Sequence, residues 1–202
     1  MNLLNILEFI FPKTEDEKNI ALCTRESFIK KLQPICVHSI FSLTPFADKE
    51  VRSAIHLNKF HENIYAQKLL RYILEQWLVQ LPKTEYILIP IPLSQKRMTE
   101  RGYNQVTNIA RGTLKQLPNI KLRTDILKRS THTVPQTSLS KKERMRNLKG
   151  AFSIKSANCT AIRGKDIILL DDVTTTGTTL AEAKATLLPL KPASIICVAL
   201  AH

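Results

Sequence analysis

The sequence predicts an α/β domain: a mostly parallel, twisted sheet flanked by helices, preceded by a small helical segment. Three observations carry that expectation. Short apolar runs (Tyr86–Ile91, Ile167–Leu170, Ser194–Leu200) alternate with longer stretches of helical periodicity (Ile64–Leu81, Tyr103–Leu117, Thr179–Leu188). The runs are apolar almost throughout, as expected of strands covered on both faces of a parallel sheet. With 202 residues, 44% of them hydrophobic and 23% charged, the chain is long enough to bury one substantial core.

Taken in order, Leu3, Leu4, Leu7 and Ile10 recur at helical spacing until Pro12 breaks the pattern. A second amphipathic run covers Asn19–Leu32, and Val37–Phe46 reads as a strand or a loop. Helical periodicity resumes at Lys49–Asn58 and continues through Ile64–Leu81, where Pro82 ends it. Strand–loop–helix alternation begins after that point, with a further candidate strand at Leu122–Leu127. The expected division is therefore a helical segment over residues 1–46 and a main domain over residues 47–202.

Composition excludes several classes. The longest apolar stretches, such as Ile87–Leu93, are too short to span a bilayer, and MNLLNILEFIF lacks the basic start and cleavage site of a signal peptide. No membrane insertion and a cytoplasmic location are expected. Cys23, Cys36, Cys159 and Cys197 form no CxxC pair, and Cys197 lies in an apolar run as a core residue would. Net charge is +13, and residues 94–150 hold fourteen Lys/Arg against three Asp/Glu. Such a concentrated positive field attracts polyanions: nucleotides, diphosphate compounds or nucleic acid.

Ligands of open α/β sheets bind where strands lead into helices. The loop IILLDDVTTTGTTL delivers Asp171 and Asp172 at a strand end, followed by Thr174, Thr175, Thr176, Gly177, Thr178 and Thr179 as a helix begins. Helix-start N–H groups and threonine hydroxyls suit a phosphate, and Gly177 permits close backbone approach. Paired carboxylates accept hydrogen bonds from vicinal hydroxyls and suit Mg²⁺, bound by Asp171 and Asp172 through ribose or water. The loop is not a P-loop, which would place a lysine before the Ser/Thr. A second loop, LSQKRMTERGYNQ, offers Lys96, Arg97 and Arg101 beyond another strand, with Gly102 at a tight turn. Arginine forks there suit a diphosphate. A third segment, THTVPQTSLSKKERMRNLKGAF, joins a polar loop to a basic helix and could close over a reacting group. Its Lys141, Lys142, Arg144 and Arg146 equally suit the phosphates of single-stranded DNA.

In this order and spacing the three segments resemble the ComF/GntX family of phosphoribosyltransferase-like proteins, over about Val51 to Ala201. IHLNKF, with Lys59, is similar to the segment preceding the family's core. The resemblance implies a type I phosphoribosyltransferase fold and phosphoribosyl diphosphate (PRPP) as ligand. It also implies Mg²⁺ as cofactor, transfer to an unspecified acceptor, and a link to DNA uptake. Asp171 and Asp172 would orient the ribose, and the Thr174–Thr179 loop would hold the 5′-phosphate. Lys96, Arg97, Arg101 and Gly102 would hold the diphosphate, with Arg97 and Arg101 stabilising its departure. A hood containing Gln136, Lys141, Arg144 and Asn147 would cover the site. The alternative reading is a non-catalytic module that senses PRPP or a nucleotide, or engages single-stranded DNA or a competence helicase. Relatives commonly begin with a four-cysteine zinc finger. Here FPKTEDEK replaces the first pair and LCTRES keeps only Cys23, with Glu26 in the other place, so no zinc is expected.

Overall fold

The computed structural model describes residues 13–129, 150–155 and 160–202. The expected helix around Leu3–Ile10 and the hood residues Gln136, Lys141, Arg144 and Asn147 lie outside these segments.

Seven helices and eight strands follow in order among the described residues. The first part contains α1 (Glu15–Ile20), α2 (Arg25–Ile29), β1 (Ile35–Val37), β2 (Ile40–Thr44), α3 (Lys49–Phe60) and α4 (Ile64–Leu78). Then come β3 (Tyr86–Pro90), α5 (Gln95–Arg101), α6 (Gln105–Thr113), β4 (Ile120–Leu122) and β5 (Leu127–Arg129). The last part holds β6 (Phe152–Ile154), β7 (Asp166–Val173), α7 (Thr178–Leu187) and β8 (Ser194–Ala201). The main sheet has the order β1-β2-β8-β7-β3-β4, while β5 and β6 form a separate antiparallel pair. Within the main sheet only β1 and β2 pair antiparallel; every other neighbouring pair is parallel.

Period-two geometry sorts each strand's side chains between two cores. Leu88, Ile168, Leu170, Val198 and Leu200 pack with Phe28 of α2, Val51 and Leu57 of α3, Leu69 and Ile73 of α4, and Ile109 of α6. The intervening Ile87, Ile89, Ile167, Leu169, Cys197 and Ala199 face Leu180, Ala183 and Leu187 of α7, together with Leu127 and Phe152 of the β5–β6 pair. Both faces of β7 are thereby covered, which is why its sequence runs apolar without alternation. Cys197 is 1% exposed, a core residue as its apolar setting implied.

Residues 35–44 fall in the leading segment of the sequence reading, yet β2 is hydrogen-bonded beside β8, with Ile40 opposite Cys197 and Thr44 opposite Ala201. Thr44 also donates its hydroxyl to the Leu200 carbonyl at 2.7 Å. Phe46 N–H donates to the His202 carbonyl at 2.7 Å. This pairing joins residues more than 150 positions apart, so no local pattern announces it. A chain beginning at Ala47 would leave the β8 edge unpaired and strip Phe28 and Leu43 from the core. It is expected to aggregate or to lose cooperative unfolding, measured by size-exclusion chromatography and thermal circular dichroism. A monomeric, cooperatively folding truncation would show that β2 is dispensable.

Candidate functional site

Strand β7 ends on the two carboxylates. Each accepts the N–H of the next residue: Asp172 N–H donates to Asp171 Oδ1 at 2.9 Å, and Val173 N–H to Asp172 Oδ1 at 2.8 Å. The chain then turns through Thr174–Gly177. Gly177 N–H donates to Thr174 Oγ1 at 3.1 Å, and the Thr176 and Thr178 hydroxyls lie 2.7 Å apart. Gly177 has φ 73°, a left-handed conformation, and caps α7 without any side-chain acceptor. The first N–H groups of that helix are thus left for an anion or water. A Cβ at Gly177 would stand 2.4 Å from Ile40 Cδ1, so β2 packs directly against the loop.

The basic wall comes from the segment after β3. Ser94 caps α5, whose Arg97 and Arg101 are i,i+4 neighbours on one face. Lys96 and Glu100 form the pair on another face, at 3.9 Å, leaving Lys96 79% exposed. Gly102 ends the helix at φ 75°. Asn104 caps α6 and donates to the Ile91 carbonyl at 2.9 Å, tying the turn to the end of β3. Tyr103 donates its hydroxyl to the Asn58 carbonyl at 2.7 Å and accepts from Glu62 N–H at 3.0 Å, which fixes the end of α3. Lys59, next to that anchor, brings Nζ to 3.9 Å from Asp172 Oδ2. Gln105 Nε2 donates to the same oxygen at 2.8 Å.

These pieces enclose a pocket of about 250 Å³ lined by Asp171, Asp172, the whole Thr174–Thr179 loop, Arg97, Gln105, Lys59 and Arg129. The structure therefore brings together the acidic pair, the threonine–glycine loop and Arg97. Lys96 points to solvent, and Gly102 acts at the α5 terminus rather than in the wall. Arg101 lies behind the wall, its guanidinium 5.1 Å from the Phe60 ring centroid, with Nη1 buried and unpartnered. Burial, and then the Arg97 charge, depress its pKa. Lys59 was noted in the sequence only through resemblance, and Gln105 only as a helix start. Arg129 carries no signal there at all. It enters from the β5–β6 pair, its guanidinium 5.4 Å from the Phe152 centroid and its Nε buried without a hydrogen-bond partner among the described residues. Burial first and the Arg97 charge second depress its pKa, while Asp171 acts the other way. Two guanidiniums lining one cavity, Arg97 and Arg129, form a setting that a polyvalent anion would relieve.

Although Asp171 keeps part of its surface open to the pocket, dense packing around its carboxyl, followed by the Asp172 charge, pushes it up to about 8. The folded chain then holds a proton that an unfolded aspartate releases near its ordinary pKa of about 3.9. Stability from this group is complete below about pH 4 and is lost as pH rises through about 8. In EDTA, Asp171→Asn should gain melting temperature over the parent protein as pH goes from 5 to 8. A difference that stays constant across that range would show that Asp171 ionises normally.

A model of the phosphoribosyl transferase domain matches residues 108–202. Competence protein F of Haemophilus influenzae is 40% identical over 97 residues, covering 47% of this chain and 41% of that protein. DNA utilization protein YhgH of Escherichia coli is 34% identical over 110 residues, covering 54% and 45%. Competence protein ComFC of Bacillus subtilis is 33% identical over 103 residues, covering 49% and 37%. These matches span less than half the length of each relative. The domain match contains the acidic pair and the threonine–glycine loop, set on a parallel sheet covered by helices. The C-terminal part of the chain thus carries a phosphoribosyl transferase domain with the type I phosphoribosyltransferase fold, and it is similar over that part to competence and DNA utilization proteins.

Proposed function

We propose that this chain binds PRPP and transfers its phosphoribosyl group to an acceptor, releasing diphosphate. The observation that carries the reading is the two-sided pocket. One wall offers hydroxyls, helix-start N–H groups and two carboxylates; the other offers Arg97 and the incompletely satisfied Arg129. In this reading the Thr174–Thr179 loop holds the 5′-phosphate, and Asp171 and Asp172 accept from the ribose hydroxyls. Lys59 and Gln105 orient Asp172. Arg97 and Arg129 take up the charge that develops on the leaving diphosphate, with Arg101 contributing its field from behind. Displacement at the ribose C1 then depends on position and electrostatics more than on a nucleophilic side chain.

The donor set suits Mg²⁺. Two adjacent carboxylates supply hard oxygen ligands, and the remainder would come from the substrate and water. Burial, and after it the Asp172 charge, raise the Asp171 pKa, and a cation beside the pair would act the other way. When bound, the ion would neutralise charge on the diphosphate. The relatives' names refer to competence and DNA utilization, and we extend that setting to this chain. In that setting the basic segment 141–149 serves either as a hood or as a contact for single-stranded DNA or a competence helicase. Among the described residues no helix is long and apolar enough to cross a membrane, and we place the protein in the cytoplasm.

PRPP with Mg²⁺ at about 100 times its dissociation constant should stabilise the fold by roughly 2.7 kcal/mol, seen as a rise in melting temperature. Asp171→Asn combined with Asp172→Asn should remove most of that rise; an undiminished shift would take the acidic pair out of the site. Diphosphate release from PRPP, screened over bases and amines, tests catalysis. Arg97→Gln or Arg129→Gln should lower turnover by roughly 10²–10³-fold. PRPP binding without diphosphate release for any acceptor would make the chain a sensing module instead.

A further inference from the structure

Lys59 stands in the last turn of α3 and lines the pocket beside Asp172. Among the described residues it is the one cation whose charged group comes within 4.0 Å of either carboxylate, with Nζ 3.9 Å from Asp172 Oδ2. That separation makes an ion pair but no hydrogen bond, while Gln105 Nε2 holds the same oxygen at 2.8 Å. A second resting place for the ammonium is close by, 5.8 Å away at the centroid of the exposed Phe60 ring.

The backbone that carries Lys59 is fixed from outside its own helix. Tyr103 donates its hydroxyl to the carbonyl of Asn58, the preceding residue, and accepts from Glu62 N–H. Glu62 has φ 47°, a left-handed conformation that a glutamate adopts only at a cost. One phenol thus holds both sides of the turn that ends α3, and with it the point from which Lys59 extends.

Two adjacent carboxylates lining a pocket suit a divalent cation taken up directly from solution. A positive charge already stationed at one of them opposes that uptake by repulsion. An ammonium on a flexible stem, not hydrogen-bonded to the oxygen, can also withdraw, here toward Phe60. What displaces it must bring more charge than a bare ion does. A diphosphate with its metal qualifies, because Arg97 and Arg129 line the same pocket and meet the anion.

Resting on the phosphoribosyl reading above, we propose that Lys59 is a resident counter-ion that keeps free divalent metal off the acidic pair and yields to metal arriving with the diphosphate substrate. Tyr103 is the positioning residue that stations it there. Metal and substrate binding are thereby linked: each is weak alone and tight with the other, by the same factor in both directions.

The test follows binding, not turnover. Mn²⁺, standing in for Mg²⁺ and read by electron paramagnetic resonance, is titrated into the full chain with and without PRPP. The parent protein should bind Mn²⁺ weakly alone and about tenfold or more tightly with PRPP. Lys59→Met, or Lys59→Gln should the first variant fold poorly, should bind free Mn²⁺ about tenfold or more tightly than the parent. PRPP should then add less, since no ammonium is left to yield. Lys59→Arg keeps the charge and should stay near the parent. Tyr103→Phe should also tighten free Mn²⁺ binding, and should add little to Lys59→Met because both act through one ammonium. The proposal is overturned if both neutral variants keep the parent's affinity for free Mn²⁺. It is equally overturned if PRPP raises metal affinity by the same large factor with and without the Lys59 charge. Parental metal affinity in Tyr103→Phe, or an equal effect of that change in both backgrounds, would overturn the positioning role. Tighter free-metal binding in Lys59→Met with no PRPP effect on any of the proteins would keep the counter-ion and sink the phosphoribosyl reading instead.

Discussion

Two adjacent carboxylates at the end of a strand buried on both faces are the constraint around which the rest of the site is arranged. Burial of the Asp171 carboxyl, and after it the charge of the neighbouring Asp172, raise the Asp171 pKa. Such a pair persists only where donors and cations are brought to it. Gln105 and Lys59 converge on one oxygen of Asp172, and Arg129 faces Asp171 from outside the main sheet.

The short segment Arg101–Gln105 does much of that arranging. Gly102 ends one helix in a left-handed turn, and Asn104 starts the next while tying back to β3. Tyr103 reaches across to α3 and so sets where Lys59 sits. Gln105 completes the series at the acidic pair. Five consecutive residues thereby connect three helices, one strand and the carboxylates. A change at Tyr103 would be felt at Asp172 without any direct contact between them.

The threonine–glycine loop is held from its other side as well. Gly177 has no room for a Cβ beside Ile40, and the His202 ring is fixed on the Thr174 carbonyl. The loop is therefore clamped between the α7 start, β2 and the end of β8. A helix N-terminus supplies an anion site only if its N–H groups keep their direction, and this three-sided packing maintains it without a capping side chain.

Much of this was legible in the sequence by itself. The parallel sheet followed from apolar runs alternating with amphipathic helices. The 171–179 loop followed from local chemistry, since two carboxylates, five threonines and a glycine at one strand–helix junction are contiguous in the chain. Arg97 was legible for the same reason. Only the tertiary structure decided the remainder, because the groups concerned meet across long separations. Lys96 and Arg97 are equivalent in composition, but helical geometry turns one to solvent and the other to the pocket. Arg129 reaches the site from a hairpin whose partner strand lies beyond residue 150, and β2 finds β8 only through sheet pairing. Local pattern reports which face of an element is apolar and which loop can hold an anion. Which distant side chains share a low-dielectric pocket is set by the packing of whole elements, and that information is not written in any one stretch of the chain.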